Sequence, residues 1–141
     1  MEQSLEVLID RLKSFKGKST PVRRKILEIL VTRLEPIAAD ELLAMIQKER
    51  ASLNKSTIYR QLNFLIESGF VSEVFLSQTK TYYELHGETH GHHIVCTNCG
   101  KIERIEMKGD LSKIEKAIKE DNGFQVTEHL LEFFGVCKNC C

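Results

Sequence analysis

Residues 90–101 read HGHHIVCTNCGK and residues 137–141 read CKNCC. The two stretches carry paired Cys-x-x-C turns, Cys96 with Cys99 and Cys137 with Cys140. Such a turn brings two thiolates to one point, and two turns together can complete a tetrahedral shell of sulfur, the usual structural zinc site. Gly100 follows the first pair, where a glycine lets backbone N–H groups turn toward the sulfurs. A single pair would fit a thiol redox motif as well; two pairs favour metal. Four thiolates leave no open coordination position, so this centre is expected to hold structure rather than run a reaction. Cys141 is spare, because the matched spacing selects Cys140.

Histidines crowd the same region. His90, His92 and His93 precede Cys96, Glu84 and His86 lie just upstream, and His129 follows, so all five histidines fall in the second half of the chain. If residues 90–95 are extended, His90 and His92 face one way and His93 the other, which would serve two different sites. Imidazole with carboxylate is a harder and more labile ligand set than thiolate, suited to zinc, iron, manganese or nickel. Thiolates to build and imidazoles to sense is the division of labour these residues suggest.

The elements that must position them come in two kinds. Apolar residues recur at helical spacing in four segments of the first half: Leu5, Leu8, Ile9, Leu12 and Phe15; Ile26, Leu27, Leu30, Val31 and Leu34; the segment ADELLAMIQKER; and Ile58, Leu62, Leu65 and Ile66. Gly17 breaks the first, Ser19 or Thr20 with Pro21 opens the second, Pro36 precedes the third, and Asn54 or Ser56 caps the fourth, which Gly69 stops. The period then changes to that of strands in FVSEVFL and KTYYEL, which flank SQT as a hairpin. Helices followed by such a wing form a winged helix-turn-helix, expected over residues 1–85. The second half, residues 86–141, reads as a small α+β domain: strands HHIVC and KIERIEM about the CTNCG turn, an amphipathic helix ended by Asn122–Gly123, and a last strand FQVTEHLLEFFGVC.

In a helix-turn-helix the second helix enters the major groove through its N-terminal residues. Here that helix begins NKSTIYRQ. Lys55, Ser56, Thr57, Tyr59 and Arg60 carry groups suited to phosphates and base edges, while Ile58 and Leu62 turn inward. From Lys13 to Lys25 six residues are basic and none is acidic, which places Arg23 in a positive run beside the DNA backbone, with Lys80 reaching from the wing. The whole chain, at 141 residues with 42% hydrophobic and 28% charged residues and a net charge of zero, has the composition of an ordinary globular protein. No apolar run approaches the roughly 18 residues that span a membrane, and no signal core stands at the start, so a soluble, cytoplasmic protein is expected. Five clustered cysteines do not suit a secreted disulfide framework. No nucleophile–base set stands out, so the chain is not expected to be an enzyme.

Taken in order, TPVRRKIL, STIYRQLNFLIESGFV, the histidines before CTNCGK, and GFQVTEHLLEFFGVCKNC resemble the ferric uptake regulator (Fur) family of metal-dependent transcription factors, from about residue 5 to 141. The resemblance implies a homodimer, built through the C-terminal domains, that binds a palindromic double-stranded DNA operator when a regulatory metal is present. It implies structural zinc on Cys96, Cys99, Cys137 and Cys140, and DNA contacts from Arg23, Tyr59 and Arg60.

The resemblance also implies two regulatory sites. One, between the domains, matches at Glu84 and His93, while Glu35–Pro36, Gly91 and Arg104 stand where the family has two histidines and an acid. The other, within the dimerisation domain, matches at His90, His92 and His129, with Asp110 or Glu115 to supply the carboxylate expected near Ser112. A metal-responsive repressor with zinc, iron or manganese as effector is the expectation, metal fixing the angle between the domains. A peroxide sensor of the same family, in which bound iron oxidises a histidine ligand, and a zinc-stabilised DNA-binding protein that senses nothing are the alternatives.

Overall fold

The computed structural model describes residues 4–15, 19–33, 35–87, 91–107, 109 and 111–141. Gly17, Lys16, Lys18, Leu34, His90 and Asp110, which the sequence singles out, lie outside them. Contacts divide the chain into two units, Met1–Glu88 and Thr89–Cys141, a boundary slightly beyond the one placed from sequence. Residues at the expected joint belong with the first unit: the His86 N–H donates to the Phe70 carbonyl at 2.9 Å, and His86 Nδ1 lies 2.7 Å from Ser72 Oγ.

The first unit begins with α1 (Leu5–Ser14), capped by Ser4. α2 (Pro21–Thr32) is capped by Thr20, whose Oγ1 accepts the Arg23 N–H at 3.3 Å. A short strand β1 (Ile37–Ala38) leads into α3 (Ala39–Gln47), which is shorter than its sequence pattern suggests. α4 (Lys55–Glu67) follows, then the wing strands β2 (Val71–Val74) and β3 (Tyr82–Leu85). β3 lies between β1 and β2, antiparallel to both. The third strand went unread in the sequence because two residues carry no periodicity and Pro36 looked like a simple interruption.

At the end of α4, Gly69 takes a left-handed φ of 73°. Its N–H bonds Ile66 O at 2.9 Å and the Phe70 N–H bonds Leu65 O at 2.8 Å, a Schellman stop that drops Phe70 and Val71 into the core. The stripes of all four helices then meet in one cluster: Leu8 and Leu12, Ile26 and Leu30, Leu42 and Ile46, Ile58, Leu62 and Leu65. This cluster fixes which face of α4 points outward.

The second unit is built on β4 (His92–Cys96), flanked by antiparallel β5 (Ile102–Ile105) and parallel β6 (Glu132–Gly135), with α5 (Ser112–Asn122) between them in sequence. Gly123, at φ 72°, ends α5 as expected. The long final strand is a correction. Only Glu132–Gly135 pairs, because its parallel register sets Glu132 beside His93, and residues 124–131 run past the start of β4. In this upstream segment Phe124 and Leu130 stay 72% and 71% exposed. α5 buries no residue. Among the described residues no helix is long and apolar enough to cross a membrane.

Asn54, not Ser56, caps α4: its Oδ1 accepts the Thr57 N–H and the Thr57 hydroxyl, both at 2.9 Å. Asn54→Ala is expected to cost about 1 kcal/mol of stability, in line with other N-cap truncations. Equilibrium denaturation of the two proteins checks this, and an unchanged midpoint would mean that the cap does not support the helix start.

Candidate metal centre and nucleic-acid interface

The core sets the outward face of α4. Ile58 and Leu62 are buried, whereas Lys55, Ser56, Tyr59 and Arg60 are exposed along the helix start. The Lys55 ammonium lies 5.6 Å from the Tyr59 ring centre, a contact that steadies both side chains without covering them. Thr57 differs. It is half-buried and its hydroxyl serves Asn54, so it supports the helix start rather than standing out from it.

Arg23 is held in place from α4. Its Nε donates to Gln61 Oε1 at 2.7 Å, and its guanidinium carbon stacks 3.6 Å from the Phe64 ring centre. Gln61 and Phe64 were not singled out from sequence; their i, i+3 spacing puts them on one helix face, which was the available signal. Two other members of the basic run, Lys13 and Lys25, are ion-paired. Lys25 bonds Glu49 at 2.8 Å and Glu28 at 3.4 Å, and Glu49 above all raises its pKa. Lys80, expected to reach DNA from the wing, sits 3.3 Å from Asp40.

In the second unit the four expected cysteines converge. The sulfurs of Cys96, Cys99, Cys137 and Cys140 all lie within 4.8 Å of one another, with Cys99 and Cys137 3.8 Å apart. A tetrahedron with Zn–S bonds of about 2.3 Å has edges of about 3.8 Å, so Cys99 and Cys137 stand at that spacing and the others within about 1 Å of it. Backbone geometry builds this convergence. Gly100 adopts φ 74° and its N–H returns to Cys96 O at 2.8 Å, while Thr97 N–H bonds Gly135 O at 2.8 Å and so ties the first turn to β6.

The Cys137 N–H donates to Cys96 Sγ at 3.3 Å, and with the N–H groups of Cys99 and Asn98 it pulls the Cys96 thiol down to about 6. Cys140 is pushed up to about 12, because its thiol donates to the sulfurs of Cys137 and Cys99. Left to themselves the four groups cannot share negative charge evenly. A divalent cation removes that conflict by taking all four as thiolates. Cys141 points elsewhere, its Sγ 3.5 Å from Val136 O.

The histidines take two directions from β4. His92 is 8% exposed, and its Nδ1 lies 3.1 Å from the Leu131 carbonyl. A carbonyl only accepts, so Nδ1 carries the proton and Nε2 the lone pair. His129 Nδ1 is 2.7 Å from Glu115 Oε1 on α5, and the rings of His92 and His129 stack with centres 5.7 Å apart. Each ring is thus anchored through Nδ1 to a carbonyl or carboxylate, the arrangement by which proteins orient metal-binding imidazoles.

Glu115, one of the two carboxylates the sequence offers for this site, thus stands beside His129 through Oε1. His93, 1% exposed, turns to Glu132 instead: its N–H donates to Glu132 Oε2 at 2.9 Å, and its Nδ1 lies 3.3 Å from the same oxygen. Glu132 escaped the sequence reading because only the β4–β6 register brings it to His93. Glu84 belongs to the first unit, on β3 opposite Ser72.

A winged helix that displays polar and basic residues at one helix start, in the same chain as a four-thiol cluster with oriented histidines, defines a metal-binding transcription regulator. Residues 15–134 match the ferric uptake regulator family. The chain is 31% identical over 136 residues to the peroxide operon regulator of Bacillus subtilis, covering 96% of this chain and 92% of that one. Among solved structures it is similar to the Campylobacter jejuni peroxide stress regulator, at 32% identity and a TM-score of 0.71 over 98% of this chain and 99% of that one. The Vibrio cholerae ferric uptake regulator gives 29% identity and a TM-score of 0.73 over 91% and 98%. The chain belongs to the ferric uptake regulator family. It is a metal-responsive, DNA-binding transcriptional regulator of that family.

Cys99→Ser is expected to lose the tightly held metal ion, and Cys141→Ser to keep it. Elemental analysis after dialysis against a chelator decides the matter; metal loss from Cys141→Ser with retention in Cys140→Ser would exchange the roles of the last two cysteines.

Proposed function

We propose that the protein is a homodimeric repressor that binds a palindromic operator when a divalent transition metal occupies a site formed by His90, His92 and His129, and that zinc on Cys96, Cys99, Cys137 and Cys140 holds the second unit together. The observation that carries this reading is the shared anchoring of His92 and His129, whose Nδ1 atoms face Leu131 O and Glu115. That leaves both Nε2 atoms as the lone-pair nitrogens of two stacked rings.

His92 belongs to β4 and His129 to the segment before β6, which carries the exposed Leu130. Joining these residues through one ion would tie down a stretch that has no strand partner among the described residues. Residues 124–131 and the exposed Phe133 and Phe134 of β6, one toward each face of the sheet, are the material from which a contact between two copies would be made. Lys55, Ser56, Tyr59, Arg60 and Arg23 then meet the operator from each copy, with half-site spacing set by the dimer. A useful switch needs metal to favour the DNA-binding form by about 3 kcal/mol.

The test measures operator affinity by fluorescence anisotropy on protein stripped with a mild chelator, then reloaded separately with zinc, iron(II), manganese and nickel. We expect one ion per chain to survive stripping and another to be lost and regained together with affinity. His129→Ala is expected to keep the first and lose the second. Operator affinity that is the same in stripped, reloaded and His129→Ala protein would overturn metal sensing. Arg60→Ala is expected to weaken operator binding by roughly tenfold, as loss of a base-edge contact does; an unchanged affinity would remove it from the interface.

The names of the relatives favour a second reading, a peroxide-responsive regulator. It predicts that iron(II) followed by peroxide adds one oxygen atom to His90, His92, His93 or His129, read by peptide mass spectrometry with loss of operator binding. Unmodified histidines after that treatment exclude it.

A further inference from the structure

The family resemblance implies a further regulatory metal, taken in part by residues 91, 93 and 104 of the second unit. The geometry of those residues does not fit one. β4 and β5 pair antiparallel with His93 opposite Arg104. The Arg104 side chain lies against the backbone at Gly91, where a Cβ would stand 2.5 Å from Nε, 2.7 Å from Cζ and 2.8 Å from Nη2. A guanidinium therefore fills the space that a side chain at residue 91 would leave through. Gly91 is the residue type that allows this: any larger one would have to push the guanidinium aside.

A guanidinium is a poor neighbour for a metal ion in every respect. It offers N–H donors and no lone pair, and it does not lose its proton in proteins. It repels a divalent cation brought beside it, and no change of pH in the physiological range relieves that repulsion. The third residue of the set is also engaged. His93 is turned toward Glu132, its Nδ1 3.3 Å from one carboxylate oxygen and 3.4 Å from the other. Where an imidazole at 91 and a carboxylate at 104 would attract an ion, this chain has a bare backbone and a fixed positive charge.

We propose that this site is closed to metal and that the Arg104 guanidinium, admitted by Gly91, is its permanent cation. Ligand and ion are replaced together: Gly91 removes a lone pair and makes room, and Arg104 supplies the charge that an ion would bring. Exchangeable metal is then confined to the histidines on the other face of β4. The proposal rests on the functional reading above only for the location of that exchangeable ion, and its own test is a count of ions.

The experiment uses the full chain, with elemental analysis for stoichiometry and cobalt(II) absorption as a report on ligand type. His129→Ala is expected to hold the tightly bound zinc, which also reports that the second unit is folded, and no exchangeable ion. The paired variant Gly91→His with Arg104→Asp is expected to gain one divalent ion per chain over the parent, with His93, the new histidine and the new aspartate as ligands. Adding His93→Ala to that variant should remove the gained ion.

An exchangeable ion in His129→Ala that disappears on adding His93→Ala would overturn the proposal, because the site would then be open in the natural sequence. A paired variant that gains nothing would also overturn it, since Arg104 would not be what closes the site. A parent protein with no exchangeable ion at all, alongside a paired variant that gains one, would uphold the closed site while defeating the reading of His92 and His129 as the effector centre.

Discussion

Four sulfur atoms within 4.8 Å of one another are the constraint on which the second unit rests. As thiolates they repel, and as thiols they compete for protons, as the opposite displacements of Cys96 and Cys140 record. The unit has little else to resist with. Among the described residues of Thr89–Cys141, only Cys96 and Ile102 are buried hydrophobics, and one of these is itself in the cluster. A sheet of three short strands with so thin a core is marginal on apolar burial alone. An ion held by all four sulfurs would tie the β4–β5 turn to the chain beyond β6, and its free energy of binding would become free energy of folding. Closing the site with four thiolates is what makes that contribution permanent.

The first unit is organised on the opposite principle. Its four helices and the wing share one continuous apolar cluster, so each element's orientation follows from its own stripe. This gives the recognition helix a fixed outward face without help from metal. Arg23, Gln61 and Phe64 add a polar and aromatic clasp on that surface, which orders a long side chain before any partner arrives. The exposed start of α4 is thus presented by a well-packed scaffold, while the second unit has few buried apolar residues of its own. That asymmetry suits a regulator: the part that reads is always built, and the part that decides is conditional.

The helices of the first unit were legible because each apolar stripe has the period of its element and α1, α2 and α4 each start at a capping side chain, whereas α3 has none. The choice between Thr20 and Ser19, or Asn54 and Ser56, was not, because both candidates are competent caps and only the backbone path selects one. The cysteine cluster was legible from spacing alone, since two short turns impose their own geometry. Register was the information that sequence lacks. It places Glu132 beside His93, leaves residues 124–131 running past the start of β4, and brings Arg104 back to Gly91. Alternation in FQVTEHLLEFFGVC reports a tendency to extend, and a strand also needs a neighbour along its whole length.

β4 is where these constraints meet. Its last residue, Cys96, belongs to the thiolate cluster; its first, His92, turns to His129; and between them His93 is locked to Glu132. One strand of five residues therefore runs from a pair of imidazoles, which would leave a bound ion's charge intact, to a group of thiols, which as thiolates would cancel it. Thiolates surrounding zinc outweigh its charge, so that site repels further anions and holds its ion against exchange. Neutral imidazoles leave the ion's positive charge intact, so binding there changes the local field and competes openly with protons. A site meant to respond has to be made of ligands that do not cancel what they bind. His92, paired with His129, has the chemistry for that requirement, and the cysteine at the end of the strand does not.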